Sequence, residues 1–342
     1  MIVGITPVRI SFAGGGTDMP EYYKEFGGSV ISSTISQFTY AIIQFRNDNS
    51  FQAFSPDFQK HYKPTAFDKI SIEDGTEIAS SVIKYLKYKN GLNVVLFSDV
   101  IAGSGLGASS SLTVNLVNIV NYLKNEKMSK QKTAETAYHI ARKILHLPLG
   151  KQDEYISAFG GFNFIKFTEN KITVIPIKMK KTVLNELQEN LLLFSLGYTR
   201  NSTKILTSQI NRINQKNSTT LEALTNAKNI ACEMYTSLKK SDLTNFGELL
   251  NKGWNEKKKF SQAITNPRIE KIYKKALSSG AIGGKLTGAG GGGHMLFYCE
   301  PKKQKLFTKT MLNLGLKLVN FKFYNYGPQI LNPIDSLNKN LQ

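Results

Sequence analysis

The sequence has few of the residues that build disulfide or metal frameworks. Its 342 residues include two cysteines and four histidines, and the histidines lack metal-ligand spacing. Cys232 and Cys299 lie far apart in apolar-patterned segments, which predicts two buried free thiols. No run approaches the roughly 20 apolar residues that span a bilayer, and the start does not resemble a secretion signal. We therefore expect a cytoplasmic protein without a membrane partner.

Acidic residues are also scarce, since 25 Asp and Glu face 44 Lys and Arg for a net charge of +19. Such an excess is typical of nucleic-acid-binding proteins. The lysines, however, are scattered among Asn, Thr and Ser, and the densest run spans only Lys257 to Lys259. Because no DNA- or RNA-binding motif is present, we predict no nucleic-acid partner. We expect instead a solvated basic surface that attracts phosphorylated ligands.

A glycine- and serine-rich stretch, SDVIAGSGLGASSSLTVNLV (98–117), lies between two ordered elements. The preceding NVVLF is a β-branched and aromatic run typical of a strand. Leu112, Leu116, Val120 and Leu123 share one face of a helix after it. This order favours a phosphate cradle, because glycines allow close backbone approach and the helix start presents unpaired amides.

Neither of two well-known glycine-loop patterns fits this stretch. The Walker pattern requires Lys and Ser or Thr after its last glycine, whereas Ala108 follows Gly107. The dinucleotide fingerprint also requires a glycine at position 108. Taken alone, the stretch is therefore equally compatible with a structural turn whose serines cap the helix.

Two further glycine clusters beside predicted strands indicate a site built from several loops. PVRISFAGGGTD places Gly14 to Gly16 between Arg9 and Asp18, and GGKLTGAGGGGHMLFY spans 283–298. Consecutive glycines are kept where φ is positive or a ligand approaches closely. In LPLGKQDEYISAFGGFNF, Asp153 follows a glycine turn. A lone Asp is usually a surface group, but beside phosphate-type loops and an arginine it is predicted to be a general base.

On these motifs the chain resembles the GHMP kinase superfamily, which includes galactokinase, homoserine kinase, mevalonate kinase and phosphomevalonate kinase. GSGLGASSS resembles its ATP loop, PVRISFAGGGTD its N-terminal motif and KLTGAGGGG its C-terminal motif, in that order over nearly the full length. The segments that resemble, in particular, bacterial kinases of D-glycero-D-manno-heptose 7-phosphate are RISFAGGGTDMPEYYKEFGGSVISSTI, GKQDEYISAFGGFN, LGYTRNST and ITNPRIEKIY.

The resemblance implies an α+β protein with the two-domain GHMP kinase fold. Residues 1–185 would form an N-terminal domain with a mixed sheet, helices, the ATP loop and the catalytic Asp. Residues 186–342 would form a C-terminal ferredoxin-like α/β sandwich with a glycine-rich closing loop. The residue pattern predicts strands at both ends of the chain, including LVNFKFYNYGPQIL, a hairpin that turns at 168–171, and two amphipathic helices across 221–254.

The resemblance also implies roles for individual residues. Asp153 would accept or orient the proton of the acceptor hydroxyl, and Arg9 would stabilise charge on Asp153 and the transferring group. Ser109 would help to hold Mg²⁺. The predicted ATP-binding residues are Gly103, Ser104, Gly105, Leu106, Gly107, Ala108, Ser109 and Ser110. The predicted closing loop contains Gly288, Ala289, Gly290 and Gly291.

The implied acceptor is a sugar phosphate. Thr17 and Asp18 would bind its hydroxyl groups, and Lys151 and Arg200 are candidates for its distal phosphate, since an ammonium or a guanidinium matches a phosphate. The predicted acceptor-binding residues are Thr17, Asp18, Lys151, Gly160, Gly161 and Arg200. The oligomeric state is open, a homodimer included.

The implied reaction is transfer of the ATP γ-phosphoryl group to the anomeric hydroxyl of the heptose 7-phosphate, for nucleotide-activated heptose and surface polysaccharide. ATP and Mg²⁺ would be the cofactors. Another sugar-1-kinase, of fucose or galactose type, is an alternative, although galactokinase-like chains carry Glu-His-Thr-Asp where this one has Gly-Gly-Thr-Asp. A non-catalytic sugar or nucleotide sensor and a basic nucleic-acid-binding protein are further alternatives.

One position departs from the family pattern. Kinases of this kind carry a Mg²⁺-ligating Glu on the helix before the catalytic Asp, and the aligned residue here is Ala141. Because Mg²⁺ keeps several waters and uses substrate phosphates as ligands, we expect an active kinase that needs more free Mg²⁺ than relatives with the Glu.

Overall fold

A computed structural model describes residues 1–72, 75–199 and 202–332. Helices and strands alternate irregularly along these residues. The strands are β1 Ile2–Ala13, β2 Gly28–Phe45, β3 Ser50–Ser55, β4 Lys60–Ala66, β5 Leu92–Ser98, β6 Phe162–Phe167, β7 Ile172–Pro176, β8 Leu191–Ser195, β9 Ala281–Leu286, β10 His294–Cys299, β11 Lys317–Val319 and β12 Gln329–Leu331. The α-helices are α1 Pro20–Phe26, α2 Glu77–Tyr85, α3 Ala108–Leu123, α4 Lys130–His139, α5 Gln152–Phe159, α6 Lys181–Asn190, α7 Ser202–Asn214, α8 Ser218–Lys240, α9 Leu243–Lys257, α10 Pro267–Ser278 and α11 Pro301–Asn313.

The first sheet is built around the long strand β2, which pairs with β1, β5 and β6. Its strand order is β12-β1-β2-β5-β3-β4, with the β6–β7 hairpin extending from β2. Helices α2, α3, α4 and α5 cover one side of this sheet, and their apolar residues form a continuous core with it. The arrangement places the start of α3 and the start of α5 at the same end of the sheet, beside β1.

The second sheet has the order β11-β8-β10-β9 and is fully antiparallel. Helices α8 and α9 pack against each other, as the amphipathic pattern predicts, and α9 also packs on β9. Trp254 on α9 is completely buried in the core of this half. An architecture of two sheets covered by helices belongs to the α+β class, as predicted.

Local sequence signals explain where several helices begin. At the N-termini of α4, α8, α9 and α10, a polar side chain accepts a hydrogen bond from a backbone amide three residues later. Such caps satisfy amides that have no partner inside the helix. The capping residues are Ser129, Asn217, Asp242 and Asn266.

Two predictions of local structure were wrong in part. The predicted strand LVNFKFYNYGPQIL forms only the ends β11 and β12, and between them Phe323 makes an isolated antiparallel bridge to Ile35 of β2. Tyr324 N, for example, donates to Thr34 O at 3.0 Å, so that chain segment is held by tertiary contacts instead of a regular ladder. Cys299 is a buried free thiol, as predicted. Cys232 is also a free thiol, but it is exposed, because its position on α8 lies outside the buried face of that helix.

The C-terminal segment returns to the first sheet. Strand β12 pairs with β1, with Val3 opposite Leu331. The division of the chain at residues 185 and 186 stays a prediction. Among the described residues, no helix combines the length and the apolar character that a membrane span requires.

Candidate active site

The glycine-rich stretch forms the connection from β5 to α3. Gly103, Gly105 and Gly107 all have positive φ values, which glycine adopts without the steric cost of a side chain. Within the described chain, no side chain caps α3, and Ser111 N makes its first backbone hydrogen bond to Gly107 O. The serines are therefore not helix caps, and the amides of the first turn are available to an anion.

A cleft of about 560 Å³ lies over this loop. That volume is in the range of small-molecule binding sites. One wall is apolar, and the other carries the first turn of α3 with the exposed Ser109. The residues of the predicted ATP loop that line the cleft are Gly103, Ser104, Gly105, Gly107, Ala108, Ser109 and Ser110, and the apolar wall includes Leu112, Ile144, Leu145, Leu147, Pro148 and Leu149.

Arg9 and Asp153, 144 residues apart in sequence, form a bidentate ion pair at the end of the cleft. Arg9 Nε donates to Asp153 Oδ1 at 2.7 Å and Nη2 to Oδ2 at 2.5 Å. The remaining guanidinium nitrogen, Nη1, donates to Gly105 O at 2.6 Å. Arg9 is 4% exposed and Asp153 is 22% exposed. The pair therefore presents its carboxylate to the cleft and ties it to the glycine loop.

The C-terminal glycine loop packs directly on the glycine loop between β5 and α3. A Cβ at Gly105 would lie 2.7 Å from Thr287 O, and one at Gly288 would lie 2.4 Å from the Gly105 Cα. Both glycines also have positive φ values, so these positions exclude larger residues. His294 Nδ1 lies 2.9 Å from Ser104 O, and burial lowers the pKa of His294. Gly288, Ala289 and Gly290 line the cleft, and Gly291 N donates to Ile264 O at 2.8 Å.

Two lysines outside the predicted set of site residues lie near Arg9. Lys257, at the end of α9, donates to Gly288 O and, at 3.3 Å, to Leu286 O. Burial and the charge of Arg9 lower its pKa to about 7. Lys285 is buried and donates to Ser11 O at 2.6 Å and Phe12 O at 3.1 Å, and burial lowers its pKa as well. In the sequence, the motif KLTGAGGGG could have indicated Lys285, which directly precedes the glycine-rich loop.

The N-terminal glycine loop uses the polar groups of Thr17 and Asp18 for its own structure. Thr17 Oγ1 donates to Gly14 O at 2.7 Å and accepts from the Ser29 amide at 3.1 Å. Asp18 accepts hydrogen bonds from Gly16 N, Gln152 N and Gln152 Nε2 at 2.8–3.1 Å. Burial raises the pKa of Asp18. Their predicted binding of sugar hydroxyls stays a prediction.

The other predicted acceptor residues do not gather at one place. Lys151 is paired with Glu135 at 2.9 Å, and its ammonium lies 4.9 Å from the centroid of the Tyr138 ring. Gly160 and Gly161 pack against the C-terminal segment, where a Cβ at Gly160 would lie 2.1 Å from the Tyr326 backbone. The predicted phosphate-binding residue Arg200 lies outside the described residues.

A buried carboxylate lies next to Asp153. Glu154 has no exposed surface, its Oε1 accepts from Ser110 Oγ at 2.8 Å, and its Oε2 has no partner among the described residues. Burial and the neighbouring Asp153 charge raise the pKa of Glu154 to about 8. Ala141, where the family pattern places a Glu, is buried in a π-helical turn over Ile140–Ile144. Glu154 is thus a carboxylate that contacts a serine of the glycine loop.

The raised pKa of Glu154 gives an expected pH dependence of stability. From the unfolded pKa near 4.3 to the folded pKa near 8, the folded protein keeps a proton that the unfolded chain releases. The free energy of unfolding therefore falls as pH rises through this window, by at most about 1.4 kcal/mol per pH unit from this group. Because Gln cannot titrate, Glu154→Gln should gain stability relative to the wild type between pH 5 and pH 8.

Urea unfolding at pH 5, 6.5 and 8 measures this difference. Glu222→Gln, on the exposed face of α8, is the matched control and should differ from the wild type by the same amount at each pH. A stability difference for Glu154→Gln that does not change with pH would contradict the expected proton retention.

Comparison with known proteins agrees with this geometry. A family model described as the GHMP kinases N terminal domain matches residues 77–161, and one described as GHMP kinases C terminal matches residues 234–309. A curated D-glycero-alpha-D-manno-heptose 7-phosphate kinase of Campylobacter jejuni is 31% identical over 94% of this chain and 96% of its own length. The chain belongs to the GHMP kinases, a family whose members use ATP as phosphate donor.

Solved structures give the same assignment. A D-glycero-D-manno-heptose 1-phosphate kinase from Bacteroides thetaiotaomicron superposes with a TM-score of 0.81 at 27% identity, covering 97% of this chain and 99% of that one. A putative sugar kinase from Campylobacter jejuni gives 0.78 at 30% identity, covering 96% and 98%. A mevalonate kinase, at 20% identity and a TM-score of 0.74, shares the fold. The predicted GHMP kinase fold and the assignment as an ATP-dependent kinase are thus confirmed.

Proposed function

We propose that this kinase transfers the γ-phosphoryl group of ATP to the anomeric C1 hydroxyl of D-glycero-D-manno-heptose 7-phosphate, giving the 1,7-bisphosphate. Two relatives named as heptose phosphate kinases cover nearly the whole chain and support this substrate class. Their names differ in the position of the phosphate, so the position is part of the proposal. The product would serve nucleotide-activated heptose and surface polysaccharide synthesis in the cytoplasm.

The Arg9–Asp153 pair is the observation that carries the proposal. Asp153 is held by two hydrogen bonds, and the same guanidinium is bonded to the glycine loop at Gly105 O. A carboxylate fixed beside a phosphate cradle is positioned to accept the proton of an attacking hydroxyl. This geometry supports phosphoryl transfer, in which positioning and charge stabilisation do most of the work.

The remaining polar groups would stabilise the charge of the transferring phosphoryl group. Arg9 lines the cleft, and its guanidinium is held against Asp153 and the glycine loop. The unpaired amides at the start of α3 add the positive end of the helix dipole. Asp153 would orient the acceptor hydroxyl, and Arg9 would keep the carboxylate in place while negative charge develops.

The residues present also fit Mg²⁺, which prefers oxygen ligands and keeps waters and substrate phosphates in its shell. Among the residues that the structure describes, no group of three or more His, Cys, Asp or Glu forms a metal cluster. Ser109, exposed in the cleft, would contribute its hydroxyl oxygen, and the other ligands would be phosphate oxygens of ATP and water. When bound, Mg²⁺ would neutralise phosphate charge.

The acceptor phosphate gives a direct test. In an ADP-release screen of free and phosphorylated sugars, we expect the heptose 7-phosphate to be used at least about 10-fold better than the free heptose, because a charge-assisted phosphate contact contributes about 1.5–3 kcal/mol. Mass spectrometry and phosphorus NMR should show a second phosphate at C1. Equal kcat/KM for the two sugars would contradict a phosphate pocket and favour the fucose- or galactose-type alternative.

Variants of Lys151 and Arg200, the two candidate phosphate-binding residues, refine that test. Because Lys151 is already paired with Glu135, we expect Arg200→Ala to reduce the preference for the phosphorylated sugar more than Lys151→Ala does. Lys204→Ala, an exposed position on α7, is the control. An unchanged preference in both Arg200→Ala and Lys151→Ala would assign the phosphate to other residues.

A further inference from the structure

The carbonyl oxygen of Ser104, in the glycine loop between β5 and α3, is enclosed by the C-terminal glycine motif. His294 Nδ1 lies 2.9 Å from Ser104 O, and the side chain of His294 is buried. Gly293 packs on the same carbonyl, because a Cβ added there would lie 2.4 Å from Ser104 O. Two consecutive residues from the second half of the chain thus contact one carbonyl of the glycine loop.

The imidazole of His294 is the donor in this contact. A carbonyl oxygen only accepts hydrogen bonds, so the ring proton is on Nδ1. The hydroxyl of Thr287 also lies near Ser104 O, at 3.4 Å, but it lies closer to His294 O, at 3.2 Å, and a hydroxyl has a single hydrogen to donate. His294 therefore makes the shorter hydrogen bond to Ser104 O.

The imidazole is carried by a well-supported element of the second sheet. His294 is the first residue of β10, the strand that lies between β8 and β9, and every residue of this strand is buried. His294 pairs with Ser195 on β8, and its carbonyl accepts from Thr287 N at 2.9 Å. A side chain on such a strand is held more precisely than one on a loop. The second sheet therefore supports a loop that belongs to the first.

The direction of Ser104 O determines where the next amide points. In a trans peptide, the C=O of one residue and the N–H of the next lie in one plane and point in opposite directions. Because Ser104 O faces His294, the Gly105 N–H points away from it, and Gly105 lines the cleft. No acceptor within the described chain is bonded to this N–H. The amide is therefore available to an anion in the cleft.

The glycines beside this peptide make its orientation variable unless it is anchored. Gly103 and Gly105, on either side of Ser104, have positive φ values, and glycine adopts either sign of φ at similar cost. The Ser104–Gly105 peptide can therefore turn over with little steric resistance. The following peptide is anchored by Arg9, whose Nη1 donates to Gly105 O at 2.6 Å. His294 supplies the corresponding anchor for the peptide before it.

We propose that His294 is a positioning residue for ATP, which holds the Ser104–Gly105 peptide so that the Gly105 amide donates to a phosphate oxygen of the nucleotide. The inference rests on ATP binding at the glycine loop, as the proposed function does, and adds a residue of the second sheet that prepares this loop. His294 acts through Ser104 and makes no contact with the nucleotide itself.

Three replacements of His294 separate its hydrogen bond from its volume. Asparagine carries a donor nitrogen two bonds from Cβ, as Nδ1 is, whereas glutamine carries it one atom further out and phenylalanine has no donor. In calorimetric titrations, the Kd of a non-hydrolysable ATP analogue should rise roughly 10-fold or more in His294→Phe and His294→Gln, because a hydrogen bond to a charged group contributes about this factor. His294→Asn should keep a Kd close to that of the wild type.

Kinetics distinguish positioning from a general loss of structure. In His294→Phe, KM for ATP should rise with the Kd, and KM for D-glycero-D-manno-heptose 7-phosphate at saturating ATP should stay unchanged. The same three replacements at His139, which is exposed on α4, are the matched controls and should leave both constants unchanged. The Tm without ligands shows whether each variant is folded.

Two results would overturn the inference. One is a wild-type Kd in folded His294→Phe, which would make the histidine merely structural. The other is a Kd in folded His294→Asn as weak as in His294→Phe, because the position of the donor would then be irrelevant.

The wild type offers a measurement that needs no variant. In amide NMR of isotope-labelled protein, the Gly105 proton resonance should move downfield when the ATP analogue is added, because the amide gains a charge-assisted hydrogen bond. An unmoved Gly105 resonance in the saturated complex would contradict the inference. If the wild type binds the analogue but phosphorylates no sugar phosphate, the proposed acceptor is wrong, and the Kd values still decide the role of His294.

Discussion

Asp153→Asn is expected to lower kcat by roughly 10²–10⁴-fold, the usual contribution of a positioned general base. Asparagine keeps the size and can still accept from Arg9, but it cannot take up the proton of the acceptor hydroxyl. KM for ATP should change much less than kcat, because the predicted ATP contacts come from the loop between Gly103 and Ser110 and not from the Asp153 carboxylate. ADP release at saturating ATP and acceptor measures the effect.

The variant also removes the negative charge opposite a buried arginine. Leaving one member of a buried pair alone costs up to about 3–5 kcal/mol of stability, so urea unfolding must establish how much protein is folded at the assay temperature. Asp48→Asn is the matched control, since Asp48 pairs with Arg46 through the same fork geometry but is 58% exposed. Near-wild-type kcat in folded Asp153→Asn would remove Asp153 from the mechanism.

Arg9→Lys is expected to lower kcat by roughly 10²–10³-fold, the range seen when one charge-stabilising donor is removed from an active site. Lysine keeps the charge but is not a planar fork, so it cannot hold both Asp153 oxygens and Gly105 O together. Arg46→Lys makes the same change in the exposed pair and should leave kcat unchanged.

A double variant separates positioning from charge. If Arg9 acts mainly by holding Asp153, then Arg9→Lys should cost little further activity in the Asp153→Asn background, because residues that act as a unit are non-additive. Fully additive losses would show instead that Arg9 acts on the transferring group independently of Asp153.

Local patterns predicted much of the fold. The hairpin β6–β7 follows from two alternating runs around a polar turn, and Thr168 N indeed donates to Lys171 O at 2.9 Å. The glycine loop before α3 was predicted from adjacent residues only, because a strand, positive-φ glycines and an apolar helical face follow one another directly between Leu92 and Leu123. The structure of the segment 320–328 was not predicted correctly. Its alternating aromatic residues resemble a strand, but its backbone contact is an isolated bridge to β2.

The candidate site was predictable only where a motif carried it. Arg9 and Asp153 were singled out by their motifs, but their bidentate contact depends on β1 and α5 meeting at one end of the sheet. Lys257 belongs to a run of three lysines that reads as solvated in the sequence, and the packing of α9 against the glycine loop partly buries it near Arg9. Thr17 and Lys151 looked available for a ligand, yet folding gives each a protein partner.

The sequence alone was therefore sufficient for the β6–β7 hairpin, the two amphipathic helices α8 and α9 and the three glycine loops, because those depend on the propensities and φ preferences of neighbouring residues. The tertiary structure decided which polar groups are left over. Glutamate is an ordinary surface residue type in the sequence, and burial alone makes the unpartnered Oε2 of Glu154 consequential. Burial depends on contacts between residues that are far apart in the chain, and these contacts cannot be read from local sequence patterns.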